Sequence, residues 1–538
     1  MTTPADAPPR FSGPRGKANY LRLSLLVVGC AYAGYAAAWI ALNVFSRYPL
    51  EFRENAALFT ADLQDRGENP YALEYRPVIV NVYGIGYYWI CYPFTRLFGC
   101  NYTVLRLVSC AFIVATCSVL MWALRIDGVS WIFAVVAALF LFVQLGQGLS
   151  VVARPDSLGL FLFFASLVIP YRFRSSYPSL FCSSLFSILG FLTKPYFLLG
   201  LGLIWLHVFL FESKYKAFVF GTVAALVFIA SVWIINLIYE CYFTETFFVP
   251  MGAASRSWAH LRKIGGSFLA QNAGLLLILA AGLFHRAVRR RADIRAAAQQ
   301  ETMCRWFNWN QFHQPLVCRC GDLASLALVC NTAVIVLVLG LHPGNDILYY
   351  HQLITPFLLW KVARLADTTF RQQRLVSTLL LVNLLILWSA AAPLPADRTA
   401  HWRALESLVA SSSDVFAAPH LALLARQSGR TVYDAGQTEY AFAADHDNLT
   451  RVSRKYRERD QIFLQRILTK MRNRQFDLIL INTGVCPFLP LDELARNYTP
   501  TRMVAAPMPF DSYLREFPLI CWVPKERPSK ANASGPQH

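Results

Sequence analysis

The sequence predicts an α-helical polytopic membrane protein, with about eleven transmembrane helices plus juxtamembrane helices, ending in a small α/β domain. Three observations predict it. Of 538 residues, 56% are apolar and only 15% charged, against about 25% charged in a soluble domain. Apolar runs long enough to span a bilayer recur along the chain. After about residue 393 the composition changes, and short strand-like runs appear beside a polar helical one.

Taken in order, residues 1–20 form a polar, basic, Pro- and Gly-rich tail. The run that follows is too long for a signal-peptide core and reads as a signal anchor. The spans fall at 21–45, 102–124, 129–148, 156–171, 178–193, 195–212, 216–239, 264–284, 322–341, 346–363 and 375–392. Together 21–392 make one membrane domain, whose first loop is 46–101. The stretch "VYGIGYYWICYPFTRLFG" at 82–99 mixes aromatics with Pro93 and Arg96. That mixture suits a helix lying at the interface. In the 393–538 tail, "RTVYDAG", "FDLILIN" and "FPLICWVP" read as strands, and "DQIFLQRILTKMRNRQF" as a helix.

Loop charges orient the chain. If 82–99 does not cross, the basic N-terminus and most loop arginines share one side, including Arg286, Arg289, Arg290 and Arg291. The other side then receives Arg154, Lys194, Arg256, Arg262 and Lys263. The positive-inside rule makes the first side cytoplasmic and the tail extracytoplasmic. A net charge of +18 is then accounted for by basic loops on anionic lipid, and a nucleic-acid partner is excluded. The 13 cysteines lie mostly in apolar runs as small apolar side chains. Cys318 and Cys320 lack a second pair at zinc spacing, and Cys486 and Cys521 lie in the tail, where they could pair if it is extracytoplasmic. No Walker loop or HExxH is present. No cofactor is called for, and a divalent metal has no support. The sequons at Asn101, Asn448 and Asn497 matter only in a eukaryotic secretory compartment.

This topology collects an unusual set on the outer face. Glu51, Arg53 and Glu54 lie in the first loop, Arg154 and Asp156 open a span, and Lys194 sits before Pro195 between two spans. Alone, each has a structural reading: loop charges that complement a helix dipole, an ion pair, or a snorkelling cation. Jointly they fit one chemistry. Cations hold the phosphate of a lipid-linked donor while an acid takes the proton of an acceptor hydroxyl. Tyr83 and its aromatic neighbours could stack on a sugar, and "NDILYYHQL" adds Tyr349 and His351.

With these residues in view, the chain resembles integral-membrane glycosyltransferases of the C fold, the group of protein mannosyltransferases and aminoarabinose transferases. The resemblance rests on the ordered set "EFRENAALFTADLQDRGENPY", the aromatic helix ending in "LFG", Arg106, "ARPDSLGLF", "FLTKPYFLL", "NDILYYHQL" and "QFDLILIN". It implies a polyprenyl-phosphate sugar donor, an acceptor hydroxyl on glycan, lipid or protein, and a loop carboxylate as base. Where the family often carries Asp-Glu, this chain reads Arg53-Glu54. Glu54 is therefore the first choice of base and Glu51 the second. A bacterial inner membrane is the expected location. A flippase for an anionic lipid or glycan, and an inactive relative acting through its tail, are the alternatives.

Overall fold

The described residues of the apolar stretches named above are mainly helical. The structure is a computed structural model that describes residues 15–146, 151–248, 250, 256–297, 322–342, 346–368, 373–389, 399–434, 442, 454–482, 488–507 and 516–525. The first helices are α1 (Arg15–Val44), α2 (Glu54–Asp65), α3 (Gly86–Phe98), α4 (Tyr102–Ile126) and α5 (Trp131–Gly146). They continue with α6 (Asp156–Arg172), α7 (Tyr177–Phe191), α8 (Leu199–Phe211) and α9 (Lys214–Ile238).

Among the described residues, four helices are long and apolar enough to cross a membrane, or five if one bent pair counts as a span. The 25-residue α9 rises about 37 Å, more than the roughly 30 Å hydrocarbon layer. It leaves Leu226, Ile229, Trp233 and Leu237 exposed, which only a lipid solvent tolerates over such a length. The chain is thus a multi-pass membrane protein. The 16-residue α5 rises only about 24 Å, so it does not pass the length criterion alone.

Two expected spans are interrupted. The 264–284 stretch does not cross as one helix: Trp258–Gln271 and the helix starting at Ala273 meet at 77°. Asn383 Oδ1 accepts from Gly274 N (2.9 Å) and Leu275 N (3.3 Å), so a neighbouring helix supplies the cap that the second helix needs. The first helix exposes Trp258, Arg262, Lys263 and Leu269, an interfacial pattern. The 346–363 stretch breaks at Ile354 into Leu348–Leu353 and Thr355–Thr368. There Asn331 Nδ2 donates to Leu353 O at 2.7 Å.

Residues 82–99 also divide. Val82–Ile85 are not helical, and α3 holds 13 residues, about 20 Å, too short to cross. It buries Tyr87, Tyr88, Cys91 and Thr95 and exposes Trp89, Ile90, Phe94, Leu97 and Phe98.

The tail carries a mixed four-stranded sheet of order β1-β2-β4-β3. Its strands are β1 (Val415–Ala417), β2 (Leu478–Ile481), β3 (Tyr498–Pro507) and β4 (Glu516–Pro524). "FDLILIN" and "FPLICWVP" contain β2 and β4, whereas Arg430–Asp434 of "RTVYDAG" is not a strand. Tyr433 there donates to Asp414 (2.9 Å) and accepts from Lys470 (2.6 Å), side-chain bonds that replace a backbone ladder. Cys521 is a free buried thiol, and Cys486 lies outside the described residues, as do Cys318, Cys320 and Asn448. Asn101 caps α4 by accepting from Val104 N at 3.0 Å. The tail does not pack independently: Tyr48 and Phe52 of the first loop share a core with Trp402, Leu405, Val415 and Leu480.

Candidate active site

The first loop is held by one buried ion pair. Glu54, at the start of α2, is fully buried against Arg106 of α4. Its carboxylate accepts from Arg106 Nε (2.9 Å) and Nη2 (2.6 Å), Leu50 N (2.6 Å) and Ala153 N (2.6 Å). Arg106 also donates to Ser46 O (2.6 Å) and Tyr48 O (2.7 Å), just past the end of α1. A cation there satisfies carbonyls that a helix C-terminus leaves open. With four donors on its two oxygens, Glu54 has no lone pair left for a substrate proton. Its rank as first-choice base is therefore corrected: Glu54 is a brace joining α1, α2, α4 and the turn before α6.

Glu51 is the carboxylate that faces the cations. It is 2% exposed. One oxygen accepts from Arg53 N (3.0 Å) and lies 3.9 Å from Arg154 Nη1. The other is 3.6 Å from Arg53 Nε. The Ala153 N bond to Glu54 fixes the turn that presents Arg154. Arg154 Nε then stands 3.1 Å from Asp156 Oδ2. Lys194 Nζ donates to Asp156 Oδ1 at 2.6 Å, and Gln352 Nε2 to the same oxygen at 3.3 Å. Asp156 thus spaces the two cations side by side without matching their combined charge.

Aromatic faces line this cluster. Lys194 Nζ is 5.1 Å from the Tyr83 ring centre, 5.3 Å from Tyr349 and 5.8 Å from Tyr196, within cation–π range. Arg154 is 5.5 Å from Tyr83. The backbone carrying Tyr83 is docked on the turn carrying Lys194: Gly84 N donates to Thr193 O (3.0 Å) and Gly86 N to Leu192 O (2.8 Å). A Cβ on Gly84 would stand 1.9 Å from Leu192 O, so only glycine permits this approach.

The structure brings together Glu51, Arg53, Arg154, Asp156, Lys194, Tyr83 and Tyr349, as expected from the sequence. His351 is not among them; its Nδ1 is 3.2 Å from Thr355 Oγ1 and its ring packs on Phe268. Sequence reasoning missed Tyr196 and Gln352, whose hydroxyl and amide bond each other at 2.7 Å. A signal existed: Gln352 lies three residues from Tyr349 on one helix face, whereas His351 turns away. Among the described residues no cluster of three His, Cys, Asp or Glu side chains could hold a metal.

An apolar groove of about 900 Å³ opens beside the cluster, between α8, α9 and the Leu323–Leu337 helix. Pro195 and Tyr196 lie at one end of its lining, with Leu199, Trp205, Phe228 and Val334 further along.

A second buried network lies above Tyr83. Arg76 makes a bidentate pair with Asp460, with Nε to Oδ1 and Nη2 to Oδ2 both 3.0 Å, and its Nη1 is 3.5 Å from Glu245 Oε1. Burial pushes the Glu245 carboxyl up to about 7, because Arg76 is chiefly engaged by Asp460 and only partly offsets the lost solvation. Arg76, Asp460 and Cys241 are the other ionisable groups around it. The folded protein therefore keeps a proton that the unfolded chain releases near pH 4.5. Stability contributed by that proton is present at low pH and lost as pH rises towards 7. Glu245→Gln should flatten this loss, seen as a smaller fall in melting temperature from pH 5 to pH 8. Equal slopes in the two proteins would refute the assignment.

Neither a family model nor a curated protein matches the sequence. Among solved structures, the chain shares its fold with an integral-membrane protein, ArnT. One similar structure is that of ArnT from Cupriavidus metallidurans bound to undecaprenyl phosphate, 12% identical, with a TM-score of 0.51. The match covers 98% of this chain and 100% of that one.

Proposed function

We propose that the chain transfers a sugar from a polyprenyl-phosphate donor to an acceptor hydroxyl, with inversion, and that Glu51 is the base. The observation that carries this reading is the adjacency of a charged, aromatic-lined cluster to a prenyl-sized apolar groove, with Tyr196 belonging to both. ArnT, of the same fold, is known bound to undecaprenyl phosphate.

In this reading the prenyl tail lies along α8 and α9 and the phosphate rests on Lys194 and Arg154. Arg53, Arg154 and Lys194 outweigh Glu51 and Asp156 by one charge, which suits a phosphodiester. Glu51 takes the proton of the acceptor hydroxyl as that oxygen attacks the anomeric carbon. The carbon–oxygen bond to phosphate breaks on the opposite face, and the cations receive the developing charge. The tail and first loop are then extracytoplasmic, the N-terminus cytoplasmic, and the site faces the outer leaflet of a bacterial inner membrane, after about eleven crossings counting short and bent helices.

The test supplies purified protein with a polyprenyl-phosphate sugar and follows release of free polyprenyl phosphate. Lys194→Met should raise the donor KM about tenfold, the loss of one charge-assisted hydrogen bond. Lipid translocation without release of polyprenyl phosphate would overturn the reading.

A further inference from the structure

Tyr83 owes its place to an unbroken chain of contacts that ends in the tail. Its N–H donates to Asn81 Oδ1 (3.2 Å) and its carbonyl accepts from Tyr71 OH (2.6 Å). Asn81, itself fully buried, donates from Nδ2 to the same Tyr71 hydroxyl (3.1 Å) and accepts from Tyr88 OH (3.3 Å). Asn81 N donates to Glu245 Oε2 at 3.0 Å. The other oxygen of Glu245 meets Arg76, and Arg76 is clamped by Asp460 on the tail helix Arg454–Arg472. The clamp is reinforced from that helix: Arg459 donates to Arg76 O (3.2 Å) and Glu74 O (2.6 Å), and Tyr456 to Glu240 O (3.1 Å).

We infer that Asp460 is a positioning residue for the site: through Arg76, Glu245 and Asn81 it holds the Tyr83 loop against Lys194 and Arg154. The tail is then a working part of the lipid-phosphate site rather than an appended module. Two features make the path a lever. Every side chain along it is buried, so water does not substitute for a broken link. The Tyr83 loop closes directly on the Lys194 turn through the Gly84 and Gly86 amides, so a displaced loop moves the ring away from the cation. The fixed position of Tyr83 matters for ligand binding only if the proposed donor reading holds, whereas the coupling from Asp460 to residues 81–86 does not depend on it.

The experiment uses the full chain in detergent, with two readouts. The first is amide hydrogen exchange over residues 81–86; the second is equilibrium binding of undecaprenyl phosphate. Asp460→Asn preserves shape and removes the charge that holds Arg76. It should speed exchange of the Gly84 and Gly86 amides and weaken binding about fivefold or more. Asp460→Glu should restore most of both. Arg472→Ala, on the same helix but paired with Glu493 at the tail surface, should behave as wild type in both. A purely structural role predicts a lower melting temperature with exchange at 81–86 and binding unchanged, and that result would overturn the inference. If the wild-type protein binds no undecaprenyl phosphate, the donor reading fails, and the exchange arm still decides the coupling. Should Asp460→Asn not fold, Arg76→Lys decides it: lysine keeps the charge but cannot hold Asp460 and Glu245 together, so exchange at 81–86 should rise, and wild-type rates there would refute the lever.

Discussion

Glu51→Gln protein should reach the membrane in wild-type amount, melt near the wild-type temperature, and transfer sugar about a hundred- to ten-thousand-fold more slowly. Gln keeps the shape and one acceptor for Arg53 N, but it cannot hold a proton. The structural cost is small because the nearest Arg154 nitrogen is 3.9 Å away, beyond a direct hydrogen bond. The chemical cost is large because an acceptor hydroxyl then attacks with no base beside it. The defect should appear in kcat, with donor KM nearly unchanged. Activity within a few-fold of wild type would remove Glu51 from the role. A fall in stability matching the fall in rate would do the same.

Arg106→Met has the opposite signature: about 3–5 kcal/mol of lost stability, and an activity loss only as large as the loss of folded protein. The substitution strands the Glu54 carboxylate in a fully buried site. It also removes the donors to Ser46 O and Tyr48 O that tie the end of α1 to α4. Glu54→Gln should fail less, because the amide oxygen still accepts from one of Leu50 N and Ala153 N, which donate to different oxygens of the carboxylate, and Arg106 keeps its bonds to Ser46 O and Tyr48 O. Thermal unfolding in detergent measures both. A shift equivalent to less than about 1 kcal/mol in Arg106→Met would show that the pair is solvated and not a brace. The two predictions separate the neighbouring carboxylates: one should lose chemistry at constant stability, the other stability ahead of chemistry.

Much of the architecture was legible because membrane solvation acts on sequence directly. A lipid-facing helix must be apolar along its whole length, so α4 and α9 announce themselves. The gathering of Glu51, Arg154, Asp156, Lys194, Tyr83 and Tyr349 was readable as well, since each lies just before or after an apolar run. The strands β1 and β3 were less visible. Val415–Ala417 is three residues long, and β3 carries Pro500 and Arg502 where its pairing with β4 shifts register.

The sequence by itself therefore determined which segments are buried in lipid and which residue types stand at the ends of those segments, because solvation energy is local to a segment. Tertiary structure alone gave Glu51 and Glu54 different surroundings, although they are three residues apart and chemically alike. What separates them is the reach of Arg106, fifty-two positions from Glu54, and the amide of Ala153, ninety-nine positions away. Tertiary structure also decided that the expected span bends at Asn272, where Asn383 caps the second helix, and that Asp460 in the tail grips Arg76 in the first loop. Hydrogen bonds between distant residues follow from how helices pack, and no local pattern in the chain encodes that packing.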